Sequence, residues 1–166
     1  MADVTGLVIS ELVRADLDAI HVIETAQFDD PWSKRVLRDE LEAPNRRYTK
    51  GTREGEIVGY LGLMLVDAEA HVNSIATARE AEGTGVATAL LAEGIRAIVA
   101  TGTRDVTLEV ASRNLRAQRL YVRFGFAPAG MRRGYYPHSG DDAVVMWVRD
   151  VHTPSYAAKL ASIEAA

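Results

Sequence analysis

A pair of glycines between an apolar strand and a long amphipathic helix is the feature that most constrains this chain. Gly83 and Gly85 follow the strand pattern of residues 70–77 and open a helical pattern that runs over residues 85–100. Glycine tolerates unusual dihedral angles and lets a ligand approach the backbone closely. The first free amides of the helix then point at one place, with the positive end of the helix dipole behind them. The turn therefore predicts a backbone anion site that suits a pyrophosphate.

The same turn also has a plainer interpretation. A short Gly-x-Gly sequence often serves only to turn the chain tightly before a helix. The segment lacks the Gly-Lys-Ser/Thr ending of a Walker loop, and Thr88 stands where a dinucleotide fingerprint would place its third glycine. The spacing alone therefore leaves an anion site and a structural turn both open. If a phosphate binds here, the hydroxyls of Thr84 and Thr88 are candidate side-chain donors.

Hydrophobic periodicity predicts a mixed arrangement of strands and helices around this turn. The predicted strands cover residues 7–9, 47–53, 56–66, 70–77, 105–110, 127–134 and 142–148, and the predicted helices cover 16–28, 34–41, 85–100 and 113–124. Ser33 and Ser112 are the predicted N-caps of the second and fourth helices. Three consecutive strands favour antiparallel pairing, and the later strand-helix-strand unit favours a parallel crossover. The order predicts an α/β (α+β) fold with one mixed sheet and helices on both faces.

Length and composition limit the domain organisation and the chemistry. A chain of 166 residues with 48% apolar residues can bury one core, which we assign to residues 1–152. Residues 153–166 form a C-terminal tail that is either helical or frayed. The chain has no cysteine, which excludes a disulfide and a thiol nucleophile. Its four histidines lack the spacing of a metal site, so no metal is expected.

Net charge and hydropathy indicate which classes of partner and which cellular compartment to expect. The net charge of −4 disfavours a nucleic-acid binder, which usually carries a basic face. The first ten residues lack the pattern of a signal peptide, and no stretch approaches the roughly 18 apolar residues of a membrane span. We therefore expect a cytoplasmic protein that contacts neither nucleic acid nor a membrane directly. No pattern indicates an oligomer beyond a monomer or a weak dimer.

The glycine turn and a second motif together resemble the GNAT acetyltransferases. Residues 82–87 read Glu-Gly-Thr-Gly-Val-Ala, similar to the acetyl-CoA motif Arg/Gln-x-x-Gly-x-Gly/Ala, with Glu82 where the family usually carries Gln or Arg. Residues 108–126 contain Leu-Glu-Val-x-x-x-Asn and then Leu-Tyr-x-x-x-Gly-Phe, which resemble the RimI branch of that family. In this branch an arginine often stands two residues after the glutamate, where this chain has Ala111.

Two further blocks extend the resemblance to the RimI branch over about residues 23–146. Residues 28–33 read Phe-Asp-Asp-Pro-Trp-Ser, and residues 132–137 read Arg-Arg-Gly-Tyr-Tyr-Pro, followed by Asp-Ala at 142–143. The resemblance implies the GNAT fold, which is a mostly antiparallel sheet splayed into a V-shaped cleft. It also implies acetyl-CoA as the co-substrate and the α-amino group of a protein N-terminus as the acceptor.

The resemblance assigns roles to individual residues. Glu109 becomes the candidate general base, and Tyr121 becomes the candidate general acid beside the CoA sulfur. The implied cofactor contacts are Ile75, Ala76, Thr77, Gly83, Thr84, Gly85, Val86, Ala87, Thr88 and Asn114. The implied acceptor contacts are Trp32, Tyr135 and Tyr136. Without the motif, Glu109 and Tyr121 also fit an exposed strand residue and a core aromatic.

Three functions stay open at this level. The first is acetylation of a protein N-terminus, with a basic ribosomal protein as the implied partner and its N-terminal alanine as the implied site. The second is acetylation of a lysine side chain or a small-molecule amine by the same fold. The third is a non-catalytic acetyl-CoA-binding module, which the presence of both Glu109 and Tyr121 disfavours. Four aspartates near the expected acceptor cleft are candidate attractors of a basic peptide, namely Asp29, Asp30, Asp141 and Asp142.

Overall fold

The computed structural model describes residues 4–166, and one seven-stranded sheet runs through this part of the chain. The strands are β1 (Val8–Glu11), β2 (Arg46–Arg53), β3 (Glu56–Val66), β4 (Glu69–Thr77), β5 (Asp105–Ala111), β6 (Ala127–Arg132) and β7 (Ala143–Val148). The helices are α1 (Leu17–Gln27), α2 (Lys34–Glu42), α3 (Val86–Ala100), α4 (Leu115–Arg123) and α5 (Pro154–Ala165). The first residues of the chain, 1–3, belong to the expected domain 1–152 but lie outside the described part.

The sheet is mixed and mostly antiparallel, as the sequence predicts. The strand order is β1-β2-β3-β4-β5-β7-β6, and the single parallel pair in the described chain is β4 with β5. Helix α3 forms the crossover between these two strands, which explains why they run in the same direction. The longest helix among residues 4–166 has 15 residues, and none of the helices there could cross a bilayer.

Helices cover both faces of the sheet and divide the core in two. On one face, α3 packs on the central strands and α5 packs on α3, in a core around Leu61, Leu90 and Phe124. On the other face, α1 and α2 pack around Ile20 and Tyr60. The side chains of a strand point alternately to the two faces, so β3 supplies Leu61 to one cluster and Tyr60 to the other. This two-sided burial explains the long apolar run of β3.

A β-bulge and an early end of pairing open the sheet in the middle. Strands β4 and β5 pair only from Glu69↔Asp105 to Val72↔Leu108, whereas β4 stays paired with β3 as far as Thr77. The β3–β4 register shifts at Asn73, which is the extra residue of a bulge. Bulges bend a strand and increase its twist. Beyond Val72 the two strands therefore diverge, and the backbone of residues 73–77 faces a cleft instead of β5.

The element boundaries lie within two residues of the predicted ones, and one predicted cap is wrong. We expected Ser112 to cap the fourth helix from residue 113. Instead α4 begins at Leu115, and the side-chain oxygen of Asn114 accepts the amide N–H of Ala117 at 3.1 Å. Ser112 is still part of the strand connection, because its amide donates to the carbonyl of Asp142 at 2.9 Å. The strand hydrogen bond therefore delays the helix by two residues.

The C-terminal tail is helical and packs onto the main core. Thr153 caps α5 by accepting the amide N–H of Tyr156 at 3.2 Å. The hydroxyl of Tyr156 donates to the carbonyl of Phe124 at 2.6 Å, and Leu160 is 2% exposed. Arg96 of α3 forms an ion pair with Glu164 of the tail. The helical alternative is thus the observed one, and residues 153–166 extend the core.

Candidate active site

A cavity of about 1180 Å³ lies where β4 and β5 diverge. It is lined by Glu109 of β5, Tyr121 of α4, Asn114 before α4, residues 75–77 of β4 and the glycine turn. Trp32, Tyr135 and Tyr136 line it from the other side. Of the site residues that the sequence predicts, Thr84 is the one that does not line this cavity in the described chain.

The glycine turn has the geometry of an anion site. Gly83 and Gly85 have φ angles of 74° and 87°, a region that side-chain-bearing residues rarely adopt. The helical hydrogen bonding of α3 begins with the amide of Ala89 bonding to the carbonyl of Gly85, so the amides of residues 86–88 lack an intrahelical partner. In the described chain no side chain caps this helix end. The free amides and the helix dipole fit a diphosphate bound at the cavity wall.

Thr84 stabilises the turn and does not face the cavity. Its hydroxyl donates to the carbonyl of Ala81 at 2.6 Å and accepts from Arg53 at 3.3 Å. The hydroxyl proton is therefore used within the loop. This explains why Thr84, unlike the other predicted cofactor contacts, does not line the cavity. Thr88 differs, because it lines the cavity and its hydroxyl accepts from Arg123 at 3.5 Å.

Glu82, the departure from the family motif, has its charge compensated. Its carboxylate accepts a hydrogen bond from Gln27 and forms an ion pair with Arg116, each at 2.5 Å. These hydrogen bonds, first from Gln27 and then from Arg116, hold the pKa of Glu82 below its usual range. Gln27 also donates to the carbonyl of Thr77 at 2.7 Å, which ties α1 to the cavity edge of β4. The carboxylate lines the cavity, but its paired guanidinium reduces the repulsion of an anion.

Glu109 is held by two basic side chains. One carboxylate oxygen contacts Nε2 of His71 on β4, and the other lies 3.4 Å from Nε of Arg132 on β6. The Glu109 side chain is 12% exposed, so it is reachable from the cavity but largely sequestered. The candidate base therefore belongs to a polar cluster that spans three strands of the splayed sheet.

The cluster continues beyond Glu109 through residues that the sequence did not predict to lie at the site. Nδ1 of His71 lies 2.6 Å from the side-chain oxygen of Asn73, and the amide of Asn73 donates to Glu40 of α2 at 3.0 Å. Glu40 also accepts from Arg46 at 2.7 Å and from Tyr48 at 3.0 Å. A signal was present in the alternation of His71 and Asn73 on one strand beside Glu109 on the next. The spacing that identifies metal ligands does not detect a hydrogen-bonded cluster of this kind.

Tyr121 is buried yet reaches the cavity. Its side chain is 5% exposed, and its ring packs against Phe126 with 5.7 Å between ring centroids. Burial, with a smaller contribution from Tyr136, raises the pKa of the Tyr121 hydroxyl above its usual range. The hydroxyl therefore stays protonated at neutral pH, which is the state that a proton donor requires.

The acceptor side is built from two loops that aromatic residues line. Trp32, between α1 and α2, packs against the second core cluster and also lines the cavity, so it serves both the core and the groove. Tyr135 and Tyr136 follow β6, and their rings meet edge to face at 5.1 Å. Tyr135 is 46% exposed, whereas Tyr136 is half-buried. Burial, with a smaller contribution from Tyr135, raises the pKa of Tyr136 to about 12.

Three of the four acidic residues expected to attract a basic peptide have structural partners. Asp30 accepts the backbone amides of His138 at 2.6 Å and Ser139 at 3.2 Å. Asp142 accepts the amide of Gly134 at 2.8 Å, and Asp141 lies 3.0 Å from Arg113. These carboxylates organise the rim of the cavity. Because backbone amides are uncharged, Asp30 and Asp142 keep their negative charge, and attraction of a basic peptide by these residues stays a prediction.

A buried carboxylate anchors the Trp32 loop. Glu24 of α1 is 3% exposed and accepts the backbone amide of Trp32 at 3.0 Å. Its other oxygen accepts from the hydroxyls of Tyr60 and Ser74. Burial raises the pKa of Glu24, and these hydrogen bonds oppose that rise in part. The carboxylate thereby joins α1, the acceptor loop and the sheet.

Comparison with known proteins agrees with this architecture. The pattern of the acetyltransferase (GNAT) family matches residues 17–126. The N-alpha-acetyltransferase RimI of Mycobacterium tuberculosis (strain ATCC 25618 / H37Rv) is 34% identical over 160 residues, covering 93% of this chain and 99% of that protein. The ribosomal protein bS18-alanine N-acetyltransferase of Escherichia coli (strain K12) is 31% identical over 142 residues, covering 83% of this chain and 94% of that protein.

A solved structure shares the fold over the same extent. The crystal structure of the ribosomal-protein-S18-alanine N-acetyltransferase from Escherichia coli superposes with a TM-score of 0.80 at 29% sequence identity. The superposition covers 87% of this chain and 94% of that chain. Together with the splayed sheet and the glycine turn, these matches show that the chain belongs to the GNAT acetyltransferase family, among its RimI-type members.

Proposed function

We propose that this protein transfers the acetyl group of acetyl-CoA to the α-amino group of a protein N-terminus. The proposed acceptor is the N-terminal alanine of a small-subunit ribosomal protein, so the reaction would take place in the cytoplasm. The observation that carries the proposal is the presence of Glu109, Tyr121 and the glycine turn around one cavity. The names of the RimI-type relatives support the choice of acceptor.

The glycine turn and the free edge of β4 are the proposed holders of acetyl-CoA, which supplies an activated acetyl group. The amides after Gly85 bind the diphosphate, and the backbone of residues 75–77 binds the arm that leads to the thioester. Main-chain amides suit this task because they are rigid donors that need no reorganisation. The amine then attacks directly within a ternary complex, in agreement with the absence of cysteine from the chain.

Glu109 and Tyr121 are the proposed proton-transfer groups. An α-amino group has a pKa near ~7.7–8.0, so much of it carries an extra proton at neutral pH. Glu109 accepts that proton, directly or through water, and frees the lone pair for attack. Tyr121 then gives its proton to the departing sulfur. The nitrogen loses its second proton as the amide forms, and through solvent that proton replaces the one that Tyr121 gave up. Positioned proton transfer of this kind is typically worth about 10²–10⁴-fold in rate.

The acceptor groove has features that suit an extended peptide end. Trp32, Tyr135 and Tyr136 offer aromatic surface along the rim, and aromatic side chains are enriched where proteins bind peptides. Of the rim aspartates, Asp141 has its charge paired with Arg113, whereas Asp30 accepts uncharged backbone amides and keeps its negative charge. Aromatic contacts, main-chain contacts and this remaining charge together make up the proposed recognition. A small free amine would use little of this surface.

The release of CoA with matched peptides tests this function. A peptide that begins with alanine should turn over, and the same peptide with a blocked N-terminus and a free lysine should not. Turnover of the blocked peptide, or of a polyamine alone, would assign the enzyme to a different amine. Acetyl-CoA binding by calorimetry without turnover of any amine would indicate a non-catalytic module.

A further inference from the structure

The contact between His71 and Glu109 raises the question of where its proton lies. Both side chains line the cavity at the point where β4 and β5 separate. Nε2 of His71 directly contacts one carboxylate oxygen of Glu109. The charged and titratable groups around this pair are Arg132 and Tyr136, which interact with Glu109, and Glu40, which is linked to His71 through Asn73 and is itself bonded to Arg46 and Tyr48. The hydrogen bonds of Glu40 and Asn73 determine which atoms of His71 carry protons.

Glu40 fixes the orientation of the Asn73 side chain. Burial would raise the pKa of Glu40, but hydrogen bonds from Arg46, Tyr48 and Asn73 hold that pKa below its usual range. Glu40 is therefore a carboxylate that can only accept hydrogen bonds. The amide nitrogen of Asn73 must then face Glu40, and its oxygen must face His71.

The orientation of Asn73 in turn fixes the proton on His71. The side-chain oxygen of Asn73 has no hydrogen to give, so Nδ1 of His71, 2.6 Å away, must donate. A neutral imidazole with its hydrogen on Nδ1 has a bare lone pair on Nε2. That lone pair and an ionised Glu109 oxygen would repel each other at contact distance. The contact therefore requires one shared proton between Nε2 and the carboxylate.

We propose that His71 is a positioning residue that shares a proton with one oxygen of Glu109, so that the other oxygen of Glu109 accepts the proton of the amine. This rests on the proposed function of Glu109 as the proton acceptor. In the resting state one proton lies between Nε2 and the carboxylate in addition to the proton on Nδ1, so the pair is an imidazolium beside a carboxylate and its net charge is zero. The bond to Asn73, and through it to Glu40, holds the imidazole ring in this orientation.

The proton balance of the step follows from this arrangement. The ammonium group of the acceptor loses one proton to the Glu109 oxygen that faces Arg132. The proton shared with His71 stays where it is, so the pair gains one proton and then carries one positive charge. The amine keeps its lone pair for the attack. The additional proton leaves to solvent before the next turnover, which restores the resting state.

Nitrogen NMR of the histidine side chains tests the pair independently of any activity. In wild-type protein at pH 7, we expect both ring nitrogens of His71 to carry protons. In the Glu109→Gln variant, we expect Nδ1 to keep its proton and Nε2 to lose it. The resonances of His21, His138 and His152 serve as internal references and should not change. A hydrogen on Nε2 with a bare Nδ1, or an unchanged His71 in Glu109→Gln, would overturn the proposal.

The pH–rate profile tests whether the shared proton matters for catalysis. Glutamine at position 71 can still hydrogen-bond to Glu109 but cannot share a proton as a cation. We therefore expect His71→Gln to move the acidic limb of the kcat/KM profile to higher pH by about one unit or more, because a neighbouring cation favours an ionised carboxylate. The KM for acetyl-CoA should stay within about twofold of wild type.

Two comparisons make the kinetic result specific. His152→Gln replaces an exposed histidine outside the cavity and should leave the profile unchanged. Circular dichroism and thermal melting confirm that both variants are folded. A lower kcat/KM for His71→Gln with an unmoved acidic limb would reduce His71 to a structural role and refute the shared proton. If wild type turns over no peptide, the proposed function fails. The NMR result would still decide whether His71 and Glu109 share a proton.

Discussion

The carboxylate of Asp30 accepts the backbone amide of His138 at 2.6 Å, across 108 residues of sequence. Asp30 lies in the loop between α1 and α2, and His138 lies in the loop between β6 and β7. These two loops carry Trp32 and the tyrosine pair that line the acceptor side of the cavity. One carboxylate therefore joins both walls of the proposed peptide groove.

Removal of this link should weaken peptide binding selectively. In Asp30→Ala the two loops lose their connection and must be ordered when the peptide binds. We expect the KM for an alanine-starting peptide to rise roughly fivefold, with an unchanged affinity for acetyl-CoA. Steady-state kinetics and calorimetry measure the two quantities. The neighbouring Asp29→Ala has the same charge change without the loop contact, so an equal rise in both variants would point to general electrostatic attraction.

Loss of the Tyr121 hydroxyl should affect the chemical step. We expect Tyr121→Phe to lower kcat by about 100-fold while the KM for acetyl-CoA changes little, because the hydroxyl acts on the departing sulfur. Tyr156→Phe is a matched control, since Tyr156 is also buried but lies outside the cavity. That control should lose about 1 kcal/mol of unfolding free energy and keep its kcat. Equal kcat values for wild type and Tyr121→Phe across the pH range would remove the proposed acid role.

A bulky side chain at the glycine turn should abolish cofactor binding. We expect Gly85→Trp to lose detectable acetyl-CoA binding by calorimetry, because the indole lies over the amides that follow. Gly55→Trp provides a comparison for backbone strain, since Gly55 has a φ of 80° in an open turn between β2 and β3. Both variants should be similarly destabilised, and Gly55→Trp should still bind. Retained binding by Gly85→Trp would contradict the placement of the anion site.

Close packing of α3 on β3 predicts an unusual effect of alanine. Helix propensity alone would make Gly94→Ala stabilising by about 1 kcal/mol. However, a Cβ at this position would lie 2.5 Å from Cδ2 of Leu61, which is fully buried. Overpacking of a core costs about 1–3 kcal/mol, so we expect a net loss of unfolding free energy in urea titrations. In a Leu61→Val background the 2.5 Å contact is removed and the 3.3 Å contact with Cδ1 of Leu63 remains, so Gly94→Ala should be less destabilising there than in wild type.

The buried carboxylate of Glu24 predicts a pH dependence of stability. Burial raises the pKa of Glu24 in the folded state above its ordinary value of 4.5. When the pKa of a carboxyl group is higher in the folded state than in the unfolded state, the group stabilises the fold at pH values below its unfolded-state pKa. That stabilisation is lost as the pH rises through the folded-state pKa. The unfolding free energy of wild type minus that of Glu24→Gln should therefore decrease as the pH rises above about 4.5. Parallel curves for the two proteins would show that Glu24 does not titrate differently on folding.

The local features of this protein follow from the sequence alone. The glycine turn before α3 needs residues that tolerate positive φ, and Gly83 and Gly85 are visible as such without a structure. The strand-helix-strand order around α3 predicts the parallel pair, because a crossover connection is what parallel strands require. The motif that contains Glu109 and Tyr121 likewise places both residues at the cavity, since strand β5 and helix α4 follow each other closely in the chain.

The partners of the charged residues were decided by tertiary structure. Nothing local distinguishes Asp29 from Asp30, or shows that Glu82 pairs with Arg116 and that His71 meets Glu109. These contacts join residues 34 or more positions apart, and they depend on where the sheet splays. The spacing of hydrophobic residues shows which side of a strand is buried, because the burial of a side chain depends on the chemistry of that residue alone. A pairing of two charges depends on the distance between two distant backbone segments, and only the folded chain sets that distance.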